Sequence, residues 1–392
     1  MRVLQLIKTT RGATWALRQV QVLQQLDIDV HVVLPDNNGL AEQYRDAGAF
    51  VHILETDIAR LKTPDRLFKT GRAFRELVRT LSPDIIHSHF VGTTLFMRLA
   101  MGREGPARVF QVPGPLHLEN PITRRIEIAS ANQLDRWIAS CKFTLEAYRL
   151  AGIRNERLGL SYYGLDLSTF KSHKPANLRE QLGLPPDAAV IGMVAYIYGP
   201  KRWLGQTRGL KGHEDLIDAV KIITEHGREA ALVFVGGPWH GSEAYARRLE
   251  HYARLNLGKR AIFLGHRTDV ADLYAGFDLA VHPSHSENLG GAVESLALAV
   301  PTVATRVGGF PDIVIPGETG WLSPPKSPIA LASTIMSALD DPEQSKRLAR
   351  QGAERVRSIL DVERNGREIA DLYNLFTQIT TSRYTTTNGA LI

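Results

Sequence analysis

The stretch HPSHSENLGGAVESLALAVPTVAT, residues 282–305, contains the repeating unit of a parallel α/β fold. The apolar run DLAVH leads into it and predicts a strand, and PTVAT at its end predicts the next strand. From Ala292 onward the intervening residues predict a helix. Gly290 and Gly291 mark the loop before this helix, because glycine accepts positive φ and lets the backbone approach a ligand. Strand, glycine loop, helix and strand in this order indicate a sheet with helices on its faces.

The same alternation extends over the chain in two series. Short apolar runs predict the strands, and amphipathic patterns between them predict helices. The predicted strands are RVLQLIK, DVHVVLP, FVHIL, DIIHSH, ARVFQV and RWIASC in the first series, and AVIGMVAYI, AALVFVG, AIFLG, DLAVH and PTVAT in the second. The expected fold class is therefore α/β, with two doubly wound Rossmann-like domains facing a cleft, since open α/β sheets bind ligands outside the carboxyl ends of their strands.

A length of 392 residues suits two domains rather than one core. We predict a first domain over residues 1–165 and a second over residues 176–360, because the strand-helix rhythm breaks at SYYGLDLSTFKSHKP. The helical stretch 361–381 has no strand after it and is expected to cross back to the first domain. The polar tail 382–392 is expected to be flexible.

The composition excludes several classes of protein. Hydrophobic residues make up 44% and charged residues 22%, which is typical of a soluble globular chain. Cys141 is the only cysteine, so no intramolecular disulfide can form, and this fits a reducing compartment. There is neither a signal-peptide pattern nor an apolar run of the ~18 residues that span a bilayer. We expect a cytoplasmic protein, and its net charge of +6 indicates anionic partners.

The basic charge is concentrated in the segment 60–79, where seven cations face Asp65 and Glu76. The cations are Arg60, Lys62, Arg66, Lys69, Arg72, Arg75 and Arg79. Two interpretations stay open. The segment is either a solvated surface helix or a cationic face that lies on an anionic membrane surface.

The residue types in the opening stretch suit a phosphate, a ribose and a second polyol. Free N–H groups at the start of the predicted helix favour an anion. Glu294, in the first turn, can accept hydrogen bonds from a vicinal diol, and Glu287 on the loop can hold sugar hydroxyls. The alternative is purely structural: the carboxylate complements the helix dipole and the glycines turn the chain.

The continuation AVPTVATRVGGFPDIVIPGETGWL makes this region resemble the donor-site segment of retaining GT-B glycosyltransferases, in the family 4 group. The resemblance extends more weakly over nearly the whole chain. It implies that Glu294 binds the nucleotide ribose and Glu287 the donor sugar. The family has seven residues between its two glutamates and this chain has six, so either the loop is shorter or Ser286 takes the first position. The resemblance further implies that the loop amides contact phosphate or sugar, which assigns this role to Asn288, Leu289, Gly290 and Gly291.

The resemblance also implies fixed cations for the leaving diphosphate, which would make the enzyme metal-independent and free of cofactors. Lys211 matches the lysine that opens a helix in the family. The position of the family arginine falls on Tyr196, and basic residues of the following loop are candidates to replace it. They are Lys201, Arg202 and Arg208. In the family the loop after AIFLG passes the nucleobase, which makes Gly265, His266 and Arg267 candidates there.

First-domain candidates are fewer. Gly12 follows the first strand, where the family has a glycine pair near the donor phosphates. The family histidine that lies close to the donor sugar aligns with Pro113, and His117 is its nearest replacement. His89 also ends a predicted strand and is a weaker candidate for the cleft, whereas His87 is expected to pack inside.

These features predict a retaining hexosyltransferase that moves a sugar from a nucleotide-diphosphate sugar to a glycan or lipid-linked acceptor. We expect a role in cell-surface polysaccharide synthesis, in the cytoplasm or on the inner membrane face. A nucleotide-sugar 2-epimerase and a non-catalytic nucleotide- or glycan-binding protein are the alternatives. A P-loop, a G-x-G-x-x-G after the first strand and a nucleic-acid recognition motif are all missing from the sequence. None of the motifs selects a nucleobase, sugar, acceptor or oligomeric state.

Overall fold

The computed structural model of the protein describes residues 1–112, 114–170, 177–202 and 205–388. Its side chains are described except those of Ser168 and residues 380–388. The chain forms two compact units. The first comprises Met1–Asp166 and the segment that begins at Ile359, and the second comprises Leu167–Ser358. Among the described residues, no helix combines the length and apolar character that a membrane span requires.

The first unit is built on a parallel sheet of seven strands. The strands are β1 Arg2–Leu6, β2 Asp29–Leu34, β3 Phe50–Ile53, β4 Ile85–Ser88, β5 Ala107–Gln111, β6 Asp135–Ala139 and β7 Leu158–Leu160. Their spatial order is β3-β2-β1-β4-β5-β6-β7. The six predicted strands are all present, and β7 is a three-residue edge strand that the sequence pattern did not indicate.

The second unit repeats this plan with six parallel strands. They are β8 Ala189–Val194, β9 Ala230–Val235, β10 Ala261–Phe263, β11 Leu279–His282, β12 Thr302–Thr305 and β13 Trp321–Ser323. Their order is β10-β9-β8-β11-β12-β13. The five predicted strands are present and β13 is additional. Two doubly wound Rossmann-like units are thus confirmed. The second has the Rossmann strand order 3-2-1-4-5-6, and the first has the same order extended by a seventh strand.

Sixteen α-helices are present among the described residues. They are α1 Thr14–Gln25, α2 Ala41–Asp46, α3 Pro64–Leu81, α4 Val91–Met101, α5 Leu116–Glu119, α6 Pro121–Ala129, α7 Lys142–Leu150, α8 Leu178–Gln181, α9 His213–Glu225, α10 Glu243–Leu257, α11 Val270–Tyr274, α12 Ala292–Ala297, α13 Phe310–Ile313, α14 Pro328–Asp340, α15 Pro342–Ile359 and α16 Val362–Asn388.

The last helix, α16, belongs to the first unit. Its Tyr373 is fully buried and hydrogen-bonds His87 of β4, and Gly366 lies so close to Val22 of α1 that an added Cβ would be 2.3 Å from Val22 Cγ1. The helix continues to Asn388, beyond the predicted end at residue 381. Residues 389–392 lie outside the described residues.

Strand order determines where each sheet can bind a ligand. In the second unit the chain first moves outward from β8 to β9 and β10, then returns to the other side of β8 with β11. The helices that follow β8 and β11 therefore lie on opposite faces of the sheet and leave a crevice at the carboxyl ends of these two strands. The opening stretch of 282–305 begins at the end of β11 and so lies at this crevice.

Candidate functional site

A pocket of about 320 Å³ occupies the crevice between the carboxyl ends of β8 and β11. Its size is at the lower end of the 300–1,000 Å³ range of small-molecule sites. Six residues predicted as site candidates line it, and they come from three separate segments of the second unit. They are Lys211, His266, Arg267, Glu287, Gly291 and Glu294.

The two glycines of the loop are needed for different reasons. Gly290 has φ +46, a left-handed conformation in which a side chain is strained. Gly291 has an ordinary φ of −65, but an added Cβ would be 3.0 Å from the Val194 carbonyl oxygen and 3.1 Å from His282 Cε1. The pair therefore lets α12 begin directly against the end of β8. This helix starts at Ala292, as the sequence predicts.

Lys211 and Glu287 form an ion pair at the centre of the pocket. Their side chains are only 19% and 14% exposed, so the pair is partly shielded from water. The Asn288 N–H also donates to Glu287 Oε1, at 3.1 Å. Lys211 Nζ lies 5.9 Å from the centre of the Tyr198 ring. Burial and the negative charge of Glu287 raise the pKa of Tyr198 to about 12, so its hydroxyl stays protonated.

Gly212 fixes the relation between Lys211 and the loop that carries Glu287. It is the residue before α9, has φ +74, and an added Cβ would be 2.0 Å from the Pro283 carbonyl oxygen. No side chain fits between these two backbones. The close contact places the lysine beside its glutamate although 76 residues separate them in the sequence.

Glu294 lies in the first turn of α12, as expected, and lines the pocket. Burial raises the pKa of its carboxyl group. Among the described residues, none donates a hydrogen bond to this carboxylate. Its acceptor capacity is therefore available to a ligand, and a vicinal diol would satisfy it.

His282, the last residue of β11, lines the pocket although the sequence pattern did not predict it as a site residue. Its Nε2 lies 3.0 Å from Ser295 Oγ, and Thr302 Oγ1 donates to that same oxygen at 2.9 Å. Burial, with a smaller contribution from the Lys211 charge, lowers the pKa of His282 to about 3. The imidazole is thus neutral near pH 7. The only sequence signal was its position, a polar residue at the end of an apolar strand.

An aromatic wall stands where the family arginine is expected. Tyr196 lines the pocket and is 41% exposed, and its ring centre lies 5.2 Å from that of Trp239. A backbone hydrogen bond from Trp239 N–H to the Ile197 carbonyl, at 3.0 Å, ties the two segments together. From the sequence, Tyr196 is only the position at which the family arginine is missing. The fold shows that it is a wall of the pocket.

The proposed replacements for that arginine do not line the pocket. The Arg208 guanidinium pairs with Asp215 at 2.5 Å and with Asp218 at 2.8 Å. Both carboxylates are on α9, so they neutralise the arginine charge away from the pocket. Arg202 and Lys201 are exposed on the loop. Arg267 is the second cation at the pocket, and it pairs with Asp269.

The remaining predicted loop residues support the pocket from outside it. Leu289 is buried in the core. The Asn288 carbonyl accepts a hydrogen bond from Gly309 N–H at 2.8 Å, and its side-chain Oδ1 is buried without a partner among the described residues. Gly265 has φ +65 and accepts a hydrogen bond from Gly236 N–H at 2.8 Å, which holds the following His266 at the pocket.

The candidate residues predicted in the first domain lie in the first compact unit, whereas the residues that line the pocket all belong to the second. Gly12 has φ +75 in the exposed loop after β1. His117 lies in α5, where its Nε2 is 3.2 Å from the Tyr148 hydroxyl, and burial lowers its pKa to about 4. His89 and His87 are both fully buried. Pro113 lies outside the described residues.

Two family models match the chain. The description "Glycosyltransferase Family 4" matches residues 12–169, and "Glycosyl transferases group 1" matches residues 203–355. The two models together cover the main part of both units. The chain therefore belongs to the family 4 and group 1 glycosyltransferases of the GT-B fold.

Individual proteins agree with this assignment. A D-inositol 3-phosphate glycosyltransferase 2 of Catenulispora acidiphila is 32% identical over 67% of this chain and 64% of its own length. The chain spans about half of two further proteins of that name, 51% and 46%. The capsular polysaccharide biosynthesis glycosyltransferase CapM of Staphylococcus aureus is 24% identical over 96% of this chain and 97% of its own.

A solved structure of similar fold is that of Anabaena Alr3699/HepE in complex with UDP and glucose. It has a TM-score of 0.75 and 22% identity, and it covers 95% of this chain and 98% of its own. This likeness shows the fold, and the same protein was also crystallised with UDP-glucose.

Proposed function

We propose that this protein is a retaining glycosyltransferase that uses a nucleotide-diphosphate sugar as donor. The observation that carries the proposal is the convergence of Lys211, Glu287 and Glu294 on one pocket at the β8–β11 crevice. A cation, an adjacent carboxylate and a carboxylate with free acceptor capacity match the three parts of such a donor: diphosphate, sugar and ribose.

The charge of Lys211 stabilises the leaving diphosphate. As the sugar departs, negative charge grows on the phosphate oxygens, and a fixed ammonium in a partly dry pocket lowers the free energy of that state. Lys211 is held by Glu287 before the donor binds. We infer that the donor phosphate takes over part of this pairing, which leaves a Glu287 oxygen to accept hydrogen bonds from the sugar hydroxyls.

Retention of configuration needs no enzymatic nucleophile in this proposal. The departing phosphate oxygen accepts the proton of the acceptor hydroxyl while that hydroxyl attacks the same face of the sugar. The work of the protein is then orientation and charge stabilisation. Glu294 anchors the ribose, and neutral His282 borders the pocket without adding charge. Donor binding without a metal ion is part of the proposal, because Lys211 supplies the cation.

The relatives bear on the acceptor. One is a D-inositol 3-phosphate glycosyltransferase and another is a capsular polysaccharide biosynthesis glycosyltransferase. We propose a glycan or lipid-linked acceptor in cell-surface polysaccharide synthesis. We place the protein in the cytoplasm, peripherally on the inner membrane face, where the basic helix α3 can meet anionic lipid.

Thermal melting against UDP, GDP, ADP and their sugar conjugates, with and without Mg²⁺, tests the donor site. A ligand at 100 times its Kd adds about 2.7 kcal/mol to the stability. We expect a selective shift that does not require Mg²⁺. Lys211→Ala should abolish most of it and lower sugar transfer by about 10²–10³-fold, the effect of removing one charge-stabilising group.

Lys221→Ala is the matched control. Lys221 lies on the same helix, α9, with its side chain 44% exposed and away from the pocket. It should keep both the melting shift and the transfer rate. A folded Lys211→Ala variant with near-normal transfer, or a wild-type protein that responds to no nucleotide, would contradict the proposal.

A further inference from the structure

An open groove of about 290 Å³ lies between α3 and α4 in the first unit. Its lining is apolar apart from one arginine, Arg75. Phe68 and Leu99 form its edges and are 68% and 59% exposed. The core beneath is closed, because Phe74 and Phe96 are fully buried and their ring centres are 5.5 Å apart.

Gly71 keeps the floor of this groove open. It lies in the middle of α3, where glycine weakens a helix relative to alanine. Neither the backbone conformation nor a close contact requires glycine at this position. Its φ is not positive, and the nearest atoms to an added Cβ are Ala100 Cβ and Arg75 Nη1, both at 3.9 Å. An alanine would fit, but any larger side chain would enter the groove.

The cations of α3 are not spread evenly around the helix. Arg72, Arg75 and Arg79 follow Phe68 by four, seven and eleven residues, a spacing that places all four side chains on one face. Arg75 donates to the Ala100 carbonyl at 2.9 Å and thus bridges to α4. All three arginines are exposed, and Arg79 forms an exposed ion pair with Glu76 of the same helix. An exposed apolar edge beside a row of arginines is complementary to a lipid with an anionic headgroup.

We propose that the α3–α4 groove binds an acyl chain of an anionic phospholipid at the membrane surface. Phe68 and Leu99 enter the boundary between headgroups and chains, and the chain lies over Gly71. Arg72, Arg75 and Arg79 hold the headgroup phosphates. This inference rests on the proposed membrane location of α3 and deepens it by naming the lipid and the groove. It uses none of the residues of the nucleotide pocket, so the two proposals can fail separately.

Sedimentation of the full chain with vesicles tests the lipid source. Vesicles of phosphatidylcholine mixed with phosphatidylglycerol should bind the protein, and phosphatidylcholine alone should bind it much less. Arg72→Glu with Arg79→Glu should weaken binding by about 25-fold or more, because each basic residue near an anionic surface contributes about fivefold. Arg66→Glu with Lys69→Glu makes the same charge change elsewhere on α3 and should weaken binding less.

Two further variants separate insertion from charge. Phe68→Ser should lose most vesicle binding, whereas Phe50→Ser, at a phenylalanine of 60% exposure on β3, should keep it. Gly71→Leu fills the groove without altering any charge and should also lose binding. Circular dichroism and the nucleotide melting shift establish that each variant is folded, and that shift should be unaffected by all of them.

The inference is overturned if Phe68→Ser and Gly71→Leu bind anionic vesicles as the parent does, since charge alone would then explain binding. Equal binding to phosphatidylcholine alone would also overturn it. So would a groove that holds a second copy of the chain, seen as a dimer in light scattering that Phe68→Ser converts to a monomer. If the protein bound vesicles but responded to no nucleotide, the donor-site proposal would be contradicted and the proposal for the α3–α4 groove would remain.

Discussion

Alanine at Gly212 should disrupt both stability and nucleotide binding, and Gly227→Ala is its matched control. The two glycines flank the same helix, α9, and both have left-handed φ, +74 and +86. An added Cβ at Gly212 would be 2.0 Å from the Pro283 carbonyl oxygen, whereas at Gly227 it would meet no atom within 4 Å. The pair therefore separates backbone strain from a steric clash.

The magnitude follows from these contacts. A non-glycine residue in the left-handed region costs about 1–2 kcal/mol, and both variants carry this cost. Gly212→Ala adds an overlap with backbone atoms that cannot rotate away, for which overpacking costs about 1–3 kcal/mol more. We expect losses of about 1–2 kcal/mol for Gly227→Ala and about 2–5 kcal/mol for Gly212→Ala. Relief of the overlap must move Lys211 away from the loop of Glu287.

Urea unfolding of the two variants and the parent measures the free energies, and melting with the preferred nucleoside diphosphate measures the site. Gly227→Ala should keep the nucleotide-induced shift of the melting temperature, and Gly212→Ala should lose it. Equal destabilisation of both variants, with nucleotide binding retained in Gly212→Ala, would refute the claim that the Gly212–Pro283 contact positions Lys211.

Three more predictions concern single side chains. Burial raises the pKa of Glu294, so the folded protein loses stability as pH rises from the ordinary glutamate value of 4.5 through the raised pKa. Glu294→Gln should therefore be more stable than the parent at pH 7 without ligand, and the difference should vanish below pH 4.5. Parallel pH profiles of the two proteins in urea titrations would contradict this. Tyr196→Arg should strengthen nucleoside diphosphate binding about tenfold or more, since a charged hydrogen bond contributes about 1.5–3 kcal/mol. Calorimetry should show that the Kd of this variant depends more steeply on salt than that of the parent, and an unchanged Kd would argue against a phosphate beside Tyr196. Gly71→Ala should raise the free energy of unfolding by about 0.5–1 kcal/mol, and a destabilised variant would mean that the groove floor cannot accept a methyl group.

The strands and the glycine loop were predictable because they depend on neighbours in the sequence. Apolar runs such as that of β11 bias the backbone toward extended conformations, and the period of the helix after Gly291 fixes which turn holds Glu294. The strands β7 and β13 escaped prediction, because LGL and WLS lack the longer apolar run that marks the equally short β10, and they are extended through pairing with their neighbour strands.

The sequence by itself determined two Rossmann-like units and placed Lys211, Glu287 and Glu294 in the loops and helix starts that follow strands. Only the tertiary structure decided which charges face the pocket. Arg208 pairs with Asp215 and Asp218 rather than lining the site, and Tyr196 occupies the wall where a cation was expected. Local dihedral preferences are encoded residue by residue, whereas the partner of a long side chain is selected by packing between segments that are distant in the sequence.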